Sequence, residues 1–320
     1  MGRYHARAAR EAGASICGIV DQDGEAAKSL AKRFGCAATT NLEEALRSTG
    51  AAVAHICTPA ASHANIAIIV AKAGLHALIE KPLGVTAKDA RRIHQCFELE
   101  SPGKLVCPTH QYSFQRSVRT TSAKLPSLGT LRQLAFEICS AGAAAGHISP
   151  DQLIAEILPH PLSIAQQLVA GIDVAGLDWN CIRTGNGEWL VAARRDETLV
   201  TMSLSASGRP TRFRTHITAE RGSIEIDHFH DFAVGLAGTV SKGQKVLAPF
   251  VRSGREFAGA AANLLARAGR REFAYPGLRR LVGEFYAAVR TPGSRSPITP
   301  TQSIAVAEAR DKIMGLAAVG

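Results

Sequence analysis

Residues 53–82 read VAHICTPAASHANIAIIVAKAGLHALIEKP. An apolar strand opening at Val53 breaks at Cys57-Thr58-Pro59, where the fixed φ of proline suits entry to a helix. A helical stretch over 60–73 follows, Gly74 ends it, and a second apolar strand over 75–79 stops at Glu80-Lys81-Pro82. The pattern is a strand–helix–strand unit with a lysine fixed at a strand's carboxyl end. In open parallel sheets, ligands bind along that edge. A lysine held there can donate a proton or polarise a hydroxyl.

Outward from this unit the first third alternates in the same way. The sequence predicts a helix over 2–12, a strand over 15–20 ended by Asp21, a helix over 24–34 and a short strand over 36–39. Asn41 reads as an N-cap with Glu44 three residues on, a capping-box pattern before a short helix to Arg47. A helix over 87–98 and a strand over 104–108 complete the series. Strands alternating with helices of this length predict βαβ units and a parallel sheet.

After about residue 110 the rhythm changes. One helix is predicted over 150–169, and extended stretches over 129–140, 174–183, 188–194, 198–206, 211–219 and 223–228. Strands so closely spaced predict a mainly antiparallel sheet. Residues 230–272 show no decisive period. Helices over 278–290 and 301–316 close the chain, with Pro292, Pro297 and Pro300 between them. The expected class is α/β, with a Rossmann-type parallel-sheet domain over 1–109 and an α/β domain with a large, mainly antiparallel open sheet over 110–320.

The 320 residues are 46% apolar and 20% charged, as in soluble globular chains with a sizeable core. No apolar run approaches the roughly 18 residues of a membrane span. The basic N-terminus lacks a signal-peptide apolar core, so cytoplasm is the expected location. The seven cysteines are scattered singly, which suggests neither metal site nor disulfide framework, and buried free thiols are expected at positions such as Cys57 and Cys107. The net charge of +10 has much of its excess between Arg252 and Arg295. No nucleic-acid module accompanies it. A solvated basic face is the simplest reading; contact of 252–290 with a membrane surface, through an amphipathic helix bearing Phe257, Leu264 and Leu265, is the alternative.

A nucleotide-binding βαβ unit reads strand, G-x-G-x-x-G, helix. This sequence opens at Met1-Gly2-Arg3, already within the helix, so Gly2 takes the place of the last glycine and the first strand has no residues to represent it. Asp21 follows Gly2 by 19 positions at the next strand's end, which suits an adenosine-ribose acceptor. A surface aspartate in a turn is the plainer reading. A carboxylate there repels a 2′-phosphate, so NAD is expected, with NADP the alternative. Thr58-Pro59 and His63 form a strand-to-helix turn that could sit over the cofactor, or His63 could make only local hydrogen bonds.

With Glu80-Lys81-Pro82 in place, the chain resembles the glucose–fructose oxidoreductase/inositol dehydrogenase (Gfo/Idh/MocA) family. The resemblance takes in MGRYHARAA, the strand-ending Asp21, CTPAASH, EKPLGVT, a second-domain helix bearing His160, the GSIEID hairpin and PITPTQSIAVAEA. It implies a Rossmann domain followed by an open-sheet α/β domain that commonly forms dimers or tetramers. It also implies hydride transfer between NAD(P) and a sugar, polyol or nucleotide sugar. Lys81 takes the family's substrate-contacting position, and Met1, Gly2, Asp21, Thr58, Pro59, His63, Glu80 and Lys81 line the cofactor.

The family's acidic residue four positions before a histidine is here Glu156 and His160, one helical turn apart. His160 becomes the expected general acid/base, since imidazole's usual pKa of about 6.5 lets it take and give a proton. Glu156, in place of the more usual Asp, would orient it. Pro159 and Pro161 flank the histidine and predict a kink. A kink residue bonded to backbone is the simpler role for His160. The Arg-Phe pair common after the strand at 104–108 is replaced by His110-Gln111-Tyr112-Ser113-Phe114-Gln115, where Gln111 or Tyr112 could line the substrate pocket. The expectation is a dehydrogenase or reductase without a metal, apparently truncated at its N-terminus. The alternative is a catalytically impaired sensor of the same fold that binds NAD(P) or a sugar.

Overall fold

Strand β4 (His76–Ile79) is buried at every residue, as the middle strand of a parallel sheet must be. It lies between β3 (Val53–Ile56) and β5 (Val106–Pro108), in the order β3-β4-β5. Helix α4 (Ala60–Lys72) returns the chain from β3 to β4, and α5 (Ala87–Glu100) leads from β4 to β5. Ala67, Val70 and Ala71 of α4 meet Ala77 and Ile79 of β4, Val106 of β5 and Ile93 and Phe97 of α5 in one apolar core. The strand–helix–strand unit read at 53–82 therefore stands.

The computed structural model describes residues 1–140, 148–238, 241–269 and 274–319. The chain divides into two compact units, Met1–His110 with Leu278–Ala307, and Gln111–Gly277 with Glu308–Gly320. The expected boundary between 109 and 110 lies beside this division. Residues 278–307 join the first unit because α10 (Leu278–Arg290) packs on α1 (Gly2–Glu11).

The first unit also holds a second parallel pair, β1 (Gly18–Val20) with β2 (Ala37–Thr39), around α2 (Gly24–Phe34). Strands β1 and β3 belong to separate sheets. The reading at Asn41 needs one correction. Its side chain accepts from Glu44 N at 3.1 Å to start α3 (Leu42–Ser48), but the Glu44 carboxylate accepts from Thr39 Oγ1 and does not close a capping box. Thr39 Oγ1 itself accepts the Asn41 N–H. A full box stands instead at α5, where Thr86 and Asp89 bond each other's backbone amides at 3.1 and 3.0 Å. Just before it, Gly84 is required by space: a Cβ there would collide with Asp89 Cβ.

The second unit is built on a seven-stranded sheet in the order β12-β11-β10-β6-β9-β8-β7. These are β6 (Leu131–Cys139), β7 (Asn180–Gly185), β8 (Glu188–Arg195), β9 (Thr198–Ser205), β10 (Arg212–Ala219), β11 (Gly222–Asp227) and β12 (Phe232–Ala237). Every adjacent pair is antiparallel except β6 with β9. Alternate residues such as Leu134, Phe136 and Ile138, or Val200, Met202 and Leu204, are buried on one face. The residues between them form cross-strand ion pairs, Arg212 with Glu137 and Arg214 with Asp227. That alternation is the period-2 signature of a one-sided sheet.

Three predicted elements change. The helix expected over 150–169 is two, α7 (Pro150–Ile157) and α8 (Pro159–Leu168). Pro159 has no N–H for the Ala155 carbonyl, which accepts from Arg310 Nε at 2.8 Å instead. The strand expected from 174 begins only at Asn180, because Trp179 Nε1 turns back to Val174 O at 2.8 Å. Residues 230–272 contain β12 and a long helix, α9 (Lys242–Gly269); residues 239–240 and 270–273 lie outside the described residues. The second unit also holds α6 (Arg116–Lys124), and the last helix is α11 (Pro300–Val319).

All seven cysteines are free, but of Cys57 and Cys107 only the second is buried; Cys57, one residue beyond β3, is half-buried. Among the described residues no helix is long and apolar enough to cross a membrane, and no group of three acidic, histidine or cysteine side chains could hold a metal. Replacing Thr86 by alanine removes one side of the capping box. It should lower stability by about 1 kcal/mol in urea unfolding, without altering the native circular dichroism.

Candidate active site

The carboxyl ends of β3, β4 and β5 deliver the first unit's polar residues. Strand β4 passes directly into Glu80, whose backbone N–H still bonds Ile56 O of β3 at 2.8 Å. The Glu80 side chain is buried, with Oε1 2.8 Å from His5 Nε2 and Oε2 accepting the Lys81 backbone N–H at 3.1 Å. Burial alone would raise the Glu80 carboxyl, but the hydrogen bond and charge of His5, with the charge of Lys81, hold it below the usual range. Burial works against a proton on His5 too, but Cys57 and the Glu80 carboxylate together raise it to about 9. The pair is a buried ion pair at neutral pH.

The charge on His5 sets the protonation of its neighbours. His5 Nδ1 lies 3.0 Å from His55 Nδ1, and His55 Nε2 lies 3.1 Å from the Tyr286 hydroxyl on α10. Burial and the neighbouring His5 charge push His55 down to about 3, so its ring is neutral. A doubly protonated His5 donates to the bare Nδ1 of His55. The one remaining ring hydrogen of His55 then sits on Nε2 and points to Tyr286. Four side chains, drawn from α1, β3, the end of β4 and α10, form one ordered relay.

Beside it, Thr109 Oγ1 donates to Ile79 O at 3.0 Å and leads into His110. Burial lowers His110 to about 4, the charge of Glu80 opposing and that of Lys81 adding to the shift. A neutral imidazole therefore shares the electrostatic neighbourhood of Lys81. His63 is buried, with its ring nitrogens 2.8 Å from Thr58 O and 2.9 Å from Pro82 O. It ties the turn after β3 to the turn after β4. Both of its nitrogens face backbone carbonyls, one near in sequence and one 19 positions away.

The remaining predicted cofactor residues sit at open positions. Met1 is the N-cap of α1, which has no capping side chain and no acidic residue in its first turn. Such a helix start favours a negative group. A Cβ on Gly2 would meet only Leu30 at 3.8 Å, so space does not demand glycine there. Asp21, just past β1, is exposed, and its Oδ1 accepts the Asp23 amide at 3.0 Å. Thr58 and Pro59 are exposed, with Thr58 Oγ1 accepting from Ser62 at 2.7 Å. An anion-accepting helix start and an exposed carboxylate at a strand end make a donor and acceptor set that fits a dinucleotide's pyrophosphate and ribose hydroxyls.

In the second unit, residues 111–114 form a short 3-10 turn. Among the described residues Gln111 Oε1 is buried with no hydrogen-bond partner. Gly277 presses on this turn: its φ is +93°, and a Cβ would collide with Gln111 O. Tyr112 meets the ring of His160 edge-on, centroids 4.6 Å apart, and that of Phe213 at 5.1 Å. His160 is buried near the start of α8. Glu156 is exposed on α7 and lies beside Arg310, whose guanidinium its charge helps to keep protonated against burial. Behind Tyr112, His228 is fully buried and lowered to about 3. It is held by Gln115 Oε1 at 2.9 Å and Thr215 Oγ1 at 2.6 Å.

The sequence reading missed His5, His55, His110 and Tyr286. His55 interrupts an apolar strand, which was its only local signal, and His5 sits among arginines in a basic helix that gives it none. Their meeting with Glu80 and Tyr286 spans up to 231 positions.

Residues 1–106 match the family described as "Oxidoreductase family, NAD-binding Rossmann fold". Among curated proteins, the UDP-N-acetylglucosamine 3-dehydrogenase of Acidithiobacillus ferrooxidans is 31% identical over 90 residues, 28% of this chain and 28% of that protein. The inositol 2-dehydrogenase of Rhizobium meliloti is 33% identical over 106 residues, 32% of this chain and 31% of that protein. These matches span less than a third of the curated relatives' lengths. Among solved structures, a levoglucosan dehydrogenase in complex with NADH and levoglucosan aligns with a TM-score of 0.76 at 18% identity, covering 100% of this chain and 95% of that one. The WlbA dehydrogenase of Bordetella pertussis, in complex with NADH and UDP-GlcNAcA, aligns at 0.78 and 14%, covering 100% and 93%. At such identities the likeness establishes the fold.

The buried relay predicts a pH profile. His5 is raised above its usual 6.5, so its contribution to stability is complete below that pH and is lost as pH rises through about 9. Glu80 is lowered below its usual 4.5, so its contribution is present above that pH and is lost as pH falls through the depressed value. Changing His5 to alanine strands a buried carboxylate and should cost about 3 kcal/mol at neutral pH. The difference from wild type should shrink above pH 9. Equal urea midpoints for the two proteins at neutral pH would contradict this.

Proposed function

We propose that this chain, whose residues 1–106 match the NAD-binding Rossmann oxidoreductase model, is a Gfo/Idh/MocA-type NAD-dependent dehydrogenase or reductase. Its substrate would be a sugar, polyol or nucleotide sugar, reacting at a secondary hydroxyl or the matching carbonyl. The observation that carries this reading is the lysine at the end of β4, anchored next to a buried carboxylate kept charged by His5.

Bound NAD supplies a two-electron hydride acceptor. The chain's own residues would do the rest. The amides at the start of α1, with Met1 and Gly2, would receive the pyrophosphate. Asp21 would accept from the adenosine ribose and, by its charge, disfavour a 2′-phosphate. Thr58 and Pro59 would border the nicotinamide half, with His63 and Glu80 holding their two turns in place. Lys81 would polarise the reacting oxygen, and His160 would take the hydroxyl proton or return it. Glu156 would act on His160 from the preceding helix. Gln111, whose buried oxygen has no partner among the described residues, and Tyr112 would line the substrate pocket. The proposed setting is cytoplasmic, with a homodimer or homotetramer as the assembly.

One observation favours a second reading, a sensor of this fold that binds NAD(P) or a sugar without turnover: β1 and β3 lie in separate sheets. Measuring both binding and turnover separates the two. NAD should bind the wild-type chain, and a panel of sugars, polyols and nucleotide sugars should include one that drives NADH formation. Lys81→Ala should lower kcat at least about a hundredfold while changing the NAD Kd far less. Turnover by Lys81→Ala at the wild-type rate would refute its catalytic role. NAD binding with no turnover on any member of the panel would favour the sensor. Asp21→Ser should raise affinity for NADP relative to NAD.

A further inference from the structure

Helix α9 is turned inside out. Its 28 residues are about 42 Å long and run beside edge strand β12. The polar face meets the sheet: Arg252 pairs with Glu225 at 2.6 Å, and Arg255 donates to Gly235 O at 2.5 Å. Asn263 donates to His230 O, and Arg267 to Phe229 O at 3.3 Å. The apolar face points to water. Phe250 is 75% exposed and Phe257 77%, and Val246, Leu247, Leu264 and Leu265 are exposed as well. With Val251, also exposed, these residues fall within about 140° of the helix circumference. A soluble protein seldom leaves such a stripe uncovered.

The stripe has a pattern that selects its cover. Phe250, Phe257 and Leu264 repeat every seven residues, and small residues stand four positions after each: Gly254, Ala261 and Ala268. A seven-residue repeat of large side chains is the seam of paired helices. The small positions leave notches between the large ones, and a Cβ added at Gly254 meets nothing within 4 Å. Knobs and notches on one stripe make the surface complementary to itself, as a two-fold interface requires. The area is sufficient: with large side chains exposing on the order of 150 Å² each, the face offers roughly 800 Å², the area each partner buries in a standard interface.

A lipid surface fits less well. Interfacial helices carry lysine or arginine where the polar face meets the headgroups. Here Arg252, Arg255 and Arg267 are drawn to the protein, and between 250 and 269 the borders of the stripe are Ser253, Ala260 and Ala262. We infer that the outward face of α9 pairs with α9 of a second copy of this chain, with Phe250, Phe257 and Leu264 seated over the Gly254 and Ala261 notches.

Sedimentation velocity of the full chain tests this. The Phe250→Glu/Phe257→Glu variant should have about a two-fold lower mass than wild type at micromolar concentration, with unchanged circular dichroism. Gly254→Leu fills the notch with a better helix former, so it should also halve the mass without unfolding α9. A monomeric wild type, or a mass unchanged in both variants, would overturn the inference. So would wild-type binding to phosphatidylserine vesicles that disappears in the Phe250→Glu/Phe257→Glu variant while its mass stays the same.

Discussion

The contact between His5 and Glu80, 2.8 Å long and closed to solvent, sets the charge state of everything around the end of β4. A buried carboxylate without a cation costs several kcal/mol and would take up a proton. With His5 charged it stays ionised, and its second oxygen remains free to accept the Lys81 amide. Burial and the same positive ring hold His55 neutral, and the contact with His5 dictates which of its nitrogens bears hydrogen. Tyr286 then receives that hydrogen, which links the returning helix α10 to the sheet through polar contacts as well as packing. One ion pair thereby joins a helix start, two strand ends and a distant helix.

In the second unit a covalent constraint takes the comparable part. Pro159 denies a hydrogen bond to Ala155 O, Arg310 supplies one, and the chain divides into α7 and α8 at that point. His160 falls just after the break, buried against Tyr112, while Glu156 on the earlier helix stays exposed beside Arg310. Gly277 packs closely against the Gln111 carbonyl, where a Cβ would collide.

What could be read in the sequence was local. Apolar runs of strand length ending in Glu-Lys-Pro, an acidic residue at the end of β1 and prolines around a histidine each report on a few neighbouring positions. The elements they predict are present, with the kink sharpened into a break. The relay was not legible, because His5, His55, Glu80 and Tyr286 come together only through folding, and a histidine inside a helix or strand does not name its partner. Helix α9 escaped for a different reason. Its polar side faces the protein and its apolar side faces out, so the usual equation of apolar with inside misleads there.

Nitrogen-15 NMR of the histidine rings at neutral pH tests the central claim most directly. Both nitrogens of His5 should show the shifts of a protonated ring, while His55 should be a neutral ring with its hydrogen on Nε2. A neutral His5, or a His55 protonated on Nδ1, would contradict the charged relay and the anchoring of Lys81 built on it.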